Sequence, residues 1–175
     1  SLEEIEARLT AAGEPAYRGK QVADWIYAKR VNAFDGMSNL PAALRRTLAE
    51  EFVFDRLEPI RVLGSEDTTR KYLFRLADGA LIESVLIPAS PALYGEASDR
   101  RTLCISTQVG CRMNCQFCAT ARLHFTRNLT AGEIADQVIQ VEKTSGKINN
   151  VVYMGMGEPF DNYDETIKSV RMLNS

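Results

Sequence analysis

Through roughly the first 55 residues the apolar positions recur at helical spacing, with glycine and proline as punctuation. The opening SLEE has the form of a capping box, Ser1 with Glu4, ahead of an amphipathic helix that Gly13 should end. GEPAYRG reads as a turn. A second helix is expected from about Gly19 to Arg30, with Val22, Trp25, Ile26 and Lys29 at helical spacing. FDGMSNLP is another turn, and Pro41 suits the first turn of a third helix carrying Leu44, Leu48 and Phe52.

The period changes near Pro59. IRVLG, TRKYLFRLADGALIESVLIP and TLCIST are alternating, β-branched segments, and Asp78-Gly79 marks a hairpin turn. ASPALYGEASDRR is a polar connection. Thr130 with Glu133 forms a second capping-box pattern, opening a helix to about Lys143. NNVVYMGM reads as a buried strand, GEP as a loop, and a last helix should run from about Tyr163 to Leu173. Strand, loop, helix, strand, loop, helix is the opening of a parallel α/β sheet or barrel with right-handed crossovers. Two such units cannot close a barrel, and the chain has neither an initiator methionine nor an ending signal, so it is expected to be an N-terminal piece.

Composition narrows the class. Of 175 residues, 45% are hydrophobic and 25% charged, which indicates a folded globular chain. No apolar run reaches the roughly 20 residues of a membrane span, and the acidic start is not a secretory signal, so a cytoplasmic location is expected. A net charge of −2 argues against a broadly basic nucleic-acid binder. Between Arg100 and Arg127, however, there is no Asp or Glu, while Arg101, Arg112 and Arg122 lie in the same stretch. That stretch reads equally as a solvated face or as an anion-facing surface. Arg18, Lys20, Lys29, Arg30, Arg45 and Arg46 of the helical region could likewise touch phosphate or simply confer solubility.

The four cysteines fall between Cys104 and Cys118, too clustered for the disulfide framework of a small secreted chain. Cys111, Cys115 and Cys118 have gaps of three and two residues and follow directly on the strand TLCIST, at the end where α/β barrels build active sites. Thiolates are soft ligands for zinc or iron–sulfur clusters. A structural zinc wants four protein ligands, whereas three thiolates leave one iron of a cubane open. His124, the only histidine, is the one residue that could complete a Cys3His zinc site, at a spacing outside the common patterns. GMGEP, taken alone, is a simple strand-to-helix turn.

Cys-x3-Cys-x2-Cys, with Phe117 before the last cysteine and GEP one βα unit later, resembles the radical S-adenosylmethionine (SAM) superfamily. The wider text is more particular. TLCISTQVGCRMNCQFCAT, RNLTAGEI and NVVYMGMGEP, with GEPAYRGKQVADWIY, FDGMSNLPAALR and TTRKYLFRL before them, resembles the RlmN-type adenine-C2 methyltransferases of 23S rRNA and tRNA over essentially the whole chain.

That resemblance implies a fold: a helical RNA-binding accessory domain over 1–55, a β-hairpin linker over 56–99, and the first βαβα part of a radical SAM partial TIM-type barrel over 100–175. It also implies cofactors and roles. Cys111, Cys115 and Cys118 would hold a [4Fe-4S] cluster whose open iron chelates SAM, and Gly157 and Glu158 would bind the SAM amino group. In that family a radical from SAM removes hydrogen from a methylated cysteine near the C-terminus, and the carbon radical adds to adenine C2. Glu83 would take the C2 proton, and Cys104 would release the RNA by forming a transient disulfide. The methyl-carrying cysteine is absent here, so the chain as it stands should be inactive. The partners implied are 23S rRNA, tRNA and a small redox protein as electron donor, with no membrane. The alternatives are adenine-C8 methylation by the same chemistry, or a zinc-stapled, non-catalytic RNA-binding module.

Overall fold

The structure, a computed structural model, describes residues 2–52, 54, 57–64, 69–89 and 98–174. Ser1, and with it the first expected capping box, lies outside these residues, as does most of the polar connection after β3 (90–97). The chain divides into two compact units, one of residues 1–55 with 170–175, the other of residues 56–169.

The first unit is helical. Helix α1 spans Leu2–Ala11 and ends where Gly13 takes a left-handed φ of 82°. Helix α2 spans Tyr17–Ala23 and continues as a π-helical turn over Asp24–Ala28, in which the Lys29 N–H reaches back five residues to the Asp24 carbonyl at 2.9 Å. The expected helix over 19–30 is therefore wider-wound in its second half, a local feature that apolar spacing does not encode. Helix α3 spans Ala42–Glu51 behind Pro41. Leu9, Val22, Leu44 and Leu48 from these helices close on Phe34, Met37 and Leu40 of the intervening turn. Phe52 corrects the expectation: the helix stops at Glu51, Phe52 is extended, and its side chain is 41% exposed.

The second unit is built on a five-stranded sheet in the order β1-β2-β3-β4-β7: β1 Glu58–Leu63, β2 Arg70–Arg75, β3 Leu81–Pro88, β4 Arg101–Cys104 and β7 Asn150–Val152. The first three pairings are antiparallel and β4–β7 is parallel, as required by the helical crossover between them. The β2–β3 hairpin turns at Asp78-Gly79, where Gly79 has φ 83°. Strand β7 is shorter than NNVVYMGM suggested and half-buried, because among the described residues it pairs only with β4.

Helix α4, Ala131–Ser145, covers one face of the sheet. Its start is the capping box read from the sequence: the Glu133 N–H donates to Thr130 Oγ1 at 3.2 Å, and the Thr130 N–H donates to Glu133 Oε2 at 2.8 Å. Tyr72, Phe74, Ile82, Ser84 and Leu86 share one face of β2 and β3 and are buried, and Ser84 Oγ donates to Gln137 Oε1 of α4 at 2.7 Å. Leu103, opposite Leu86, joins this face. The opposite face carries Lys71, Glu83, Val85 and Cys104. Helix α5 spans Tyr163–Leu173 after a short 3-10 turn at Pro159–Asn162.

Candidate active site

The cysteine loop is held at its base by a two-residue ladder: β5 (Gln108–Val109) pairs antiparallel with β6 (Arg127–Asn128). Gly110 begins the loop with φ 75°; a Cβ there would run into the His124 carbonyl, so the close crossing of the two arms requires glycine. Inside the loop Asn114 is left-handed at φ 49°, the Cys118 N–H donates to the Cys115 carbonyl at 2.9 Å, and a 3-10 turn follows at Ala119–Arg122. The Cys118 thiol is shifted below the ordinary thiol range, chiefly by hydrogen bonds from the Thr120 backbone and hydroxyl. All four cysteines are free and half-buried, and Phe117 is 94% exposed. Among the described residues no three His, Cys, Asp or Glu side chains converge on a single metal ion, so His124 does not complete a preformed mononuclear site.

The GMGEP segment after β7 is laced to the residues just ahead of that loop. The Gly155 N–H donates to the Ile105 carbonyl at 3.0 Å, and the Met156 N–H to Ser106 Oγ at 3.0 Å. The Thr107 N–H donates to the Met156 carbonyl at 2.8 Å. The Glu158 N–H donates to Gln108 Oε1 at 3.0 Å, and the Glu158 carboxylate accepts from the Phe160 N–H at 3.0 Å, capping the short turn. Gly155 and Gly157 permit this approach. A Cβ on Gly155 would lie 2.7 Å from the Ile105 backbone, and one on Gly157 2.5 Å from Gln108 Cβ. The two loops at the C-terminal ends of the parallel pair are thus one hydrogen-bonded structure.

Cys104 ends β4 on the face opposite α4. Burial pushes its thiol above the ordinary range, partly opposed by a hydrogen bond with the Met154 backbone. Glu83 lies on the same face of β3, 41% exposed, with Lys71 Nζ at 3.1 Å. Its backbone carbonyl accepts from Ser106 Oγ at 2.6 Å, so one buried hydroxyl ties the Glu83 strand to the GMGEP segment.

Two family models match this chain: the ribosomal RNA large subunit methyltransferase N-terminal domain (RlmN_N) over residues 1–54, and the radical SAM superfamily over residues 105–174. A probable dual-specificity RNA methyltransferase RlmN of Akkermansia muciniphila is 49% identical over 174 residues, covering 99% of this chain and 48% of the relative. The corresponding protein of Thermotoga neapolitana is 48% identical, covering 99% and 49%. A solved radical SAM methyltransferase from Sphaerobacter thermophilus superposes with a TM-score of 0.84 at 42% identity, covering 100% of this chain and 50% of that one. The chain belongs to the RlmN family of radical SAM proteins. It spans about half the length of the curated relatives it matches.

Membership in the RlmN family implies a [4Fe-4S] cluster and SAM. The residues fit that requirement. Cys111, Cys115 and Cys118 are free, partly exposed thiols on one loop, soft donors of the kind that hold iron–sulfur clusters.

Two arginines at the cysteine loop have acidic partners that the sequence reading did not anticipate. Arg127 is not turned outward to anions: its guanidinium makes a fork onto Glu133 at 2.8 and 2.9 Å and reaches Asp78 at 2.7 Å, and these carboxylates raise its pKa further. Arg112 pairs with Asp161 at 3.8 Å and lies 3.9 Å above the Phe125 ring. Two of the arginines of this stretch, Arg112 and Arg127, are thus met by acids from other segments. Sequence reasoning also missed Ser106, Gln108, Gln137 and Asn162, all buried polar residues that fasten the loops. Asn162 Nδ2 donates to the carbonyls of Thr107 and Leu129 at 2.9 and 2.8 Å. The one available signal was the polar run Ser106-Thr107-Gln108 continuing an apolar strand.

Proposed function

We propose that the protein carrying this chain is a radical SAM RNA methyltransferase that methylates C2 of adenine in 23S rRNA and tRNA. Cys111, Cys115 and Cys118 hold the [4Fe-4S] cluster, and Gly157 and Glu158 bind the SAM amino group. The observation that carries the reading is the three-thiol loop at the end of β4, laced at its base to the GMGEP segment at the end of β7. When bound, the cluster and SAM supply reductive cleavage to a 5′-deoxyadenosyl radical, chemistry that an electron-poor sp² carbon flanked by two nitrogens requires, since it cannot act as a nucleophile.

The chain's own residues then have distinct tasks. The cysteine loop and GMGEP segment place cofactor and substrate against the open face of the sheet. Glu83 accepts the proton that must leave C2 for the ring to regain aromaticity. Cys104 attacks the sulfur that tethers the RNA: an S–S bond forms, the S–C bond breaks, and the electron pair stays with the carbon. That carbon takes up a proton, balancing the one the thiol gives up, to become the methyl group. A thiol held protonated by burial suits a group needed only in that last step. The helical unit supplies further contacts to RNA, with the target adenine taken out of its stack. A small redox protein provides electrons, and the work is cytoplasmic. No helix among the described residues is long and apolar enough to cross a membrane.

Mass spectrometry of RNA from cells with the intact gene and from a deletion strain tests this. Loss of 2-methyladenosine from both 23S rRNA and tRNA is expected. A missing 8-methyladenosine in its place assigns the sister C8 activity, and unchanged RNA contradicts the proposal.

A further inference from the structure

Gln108 is the point where the cysteine loop and the GMGEP segment meet. Its side chain is fully buried, and its amide is bonded on every side. Oε1 accepts the Glu158 N–H at 3.0 Å, while Nε2 donates to Asn128 Oδ1 at 2.9 Å and to Asp161 Oδ2 at 2.7 Å. Asn128 belongs to β6, which closes the cysteine loop; Glu158 and Asp161 belong to the segment after β7. The Gln108 N–H also donates to the Met156 carbonyl at 3.2 Å. Gly157 has no room for a side chain because Gln108 Cβ and Cγ fill it, at 2.5 and 2.7 Å from an added Cβ. Asp161 completes a second route between the loops through Arg112, the neighbour of Cys111.

A primary amide offers one acceptor and two donors on a short planar group. A carboxylate would face Asp161 and the Asn128 carbonyl oxygen with no proton to give. An apolar side chain of the same volume would fill the space but remove the hydrogen bonds to the Glu158 N–H, Asn128 and Asp161. We infer that Gln108 is a positioning residue: it fixes the Glu158 segment against the base of the cysteine loop, so that SAM held by that segment meets the cluster in a single pose. This rests on the functional reading above. Residues behind ligands commonly set their orientation in this way.

The test uses the full-length protein, reconstituted anaerobically, with Gln108→Met, Gln108→Glu, and Gln108→Glu combined with Asp161→Asn. Gln108→Met is expected to load iron and sulfide as the wild type does, yet to need roughly 10–100-fold more SAM to produce the SAM-dependent change in the spin-resonance spectrum of the reduced cluster. Gln108→Glu should be similarly impaired. Adding Asp161→Asn reverses donor and acceptor along that contact and should recover much of the response, a rescue that a merely space-filling role would not give. In cluster-free protein, hydrogen exchange at the Glu158 amide should be faster in Gln108→Met than in the wild type. A SAM response in Gln108→Met equal to wild type overturns the inference, as does unchanged exchange at Glu158. If Gln108→Met fails to fold, the single and double Glu variants decide, and a double variant no better than the single one overturns the inference. A wild-type protein that shows no SAM response at all removes the functional reading and this inference with it, an outcome distinct from a variant that behaves like wild type.

Discussion

Glu83 and Cys104 stand on one face of the sheet, a single diagonal step apart: Cys104 lies directly opposite Val85, and Glu83 is two residues along β3 from Val85. Diagonal neighbours across an antiparallel pair have Cα atoms about 7–8 Å apart. In the proposed function one bound adenine lies within reach of both, and the two groups act at different stages, so their removal should fail differently. Glu83→Gln in the full-length protein should lower methylation by roughly 10²–10⁴-fold, the usual worth of a positioned base, while SAM cleavage continues. Cys104→Ser should instead accumulate protein covalently joined to RNA, visible as a mass shift on denaturing gels. The same phenotype from both substitutions would break the division of labour.

The Cys104 thiol offers a pH test. Burial raises its folded pKa, so the folded protein keeps this proton at pH values where an unfolded chain has lost it. Its contribution to stability is full below the ordinary thiol value and is lost as pH climbs through the raised folded value. Iodoacetamide labelling followed by mass spectrometry should show Cys104 of the folded, cluster-free chain reacting more slowly at mildly alkaline pH than the same cysteine in urea. Equal rates in the two states would show that the thiol is not desolvated.

Arg127 joins the β2–β3 hairpin, the base of the cysteine loop and the start of α4. Arg127→Ala should cost about 1–3 kcal/mol in urea unfolding, the range for hydrogen bonds to charged groups that are partly buried. Arg127→Lys should recover little, since an ammonium cannot reproduce the fork onto Glu133. The hydrogen bond from Arg127 also holds the Asp78 carboxyl below its usual range. That contribution is present above the ordinary carboxylate value and disappears as pH falls through the depressed one, so the wild type should lose more stability on acidification than Arg127→Ala does.

Gly155 and Gly157 should not tolerate alanine. At Gly155 the methyl meets Ile105 and Ser106 backbone at 2.7–2.8 Å, atoms that cannot turn aside as a side chain can. At Gly157 a φ of 96° adds its own penalty of about 1–2 kcal/mol. Thermal unfolding should register both, and SAM affinity in the full-length protein should fall. A Gly157→Ala variant with native stability and affinity would mean that the GMGEP segment lies farther from Gln108.

Much of the architecture could be read from local pattern because its signals are local. The Thr130–Glu133 capping box, the Asp78-Gly79 turn and the last helix from Tyr163 to Leu173 each rest on residues within a few positions of one another. The β5–β6 ladder has two pairs, too few for any periodicity, and it forms because Val109 and Arg127 are brought together across the loop. The π-helical turn at Asp24–Ala28 shares its apolar spacing with an ordinary helix. At the candidate site the cysteines and GMGEP stood out as residue types at fixed intervals. Gln108, Asn162 and Asp161 did not, since their partners lie 20 to 55 positions away and only the folded chain brings them together.

The central claim is that Cys111, Cys115 and Cys118 hold a cluster with an open iron at which SAM is cleaved. The most direct measurement is metal, sulfide and nucleoside analysis of the full-length protein reconstituted without oxygen and then reduced in the presence of SAM. The account predicts four iron and four sulfide per chain, the stoichiometry of a [4Fe-4S] cluster, and release of 5′-deoxyadenosine, with both lost on Cys115→Ala. Stoichiometric zinc bound by the same thiols, with no 5′-deoxyadenosine, would contradict it.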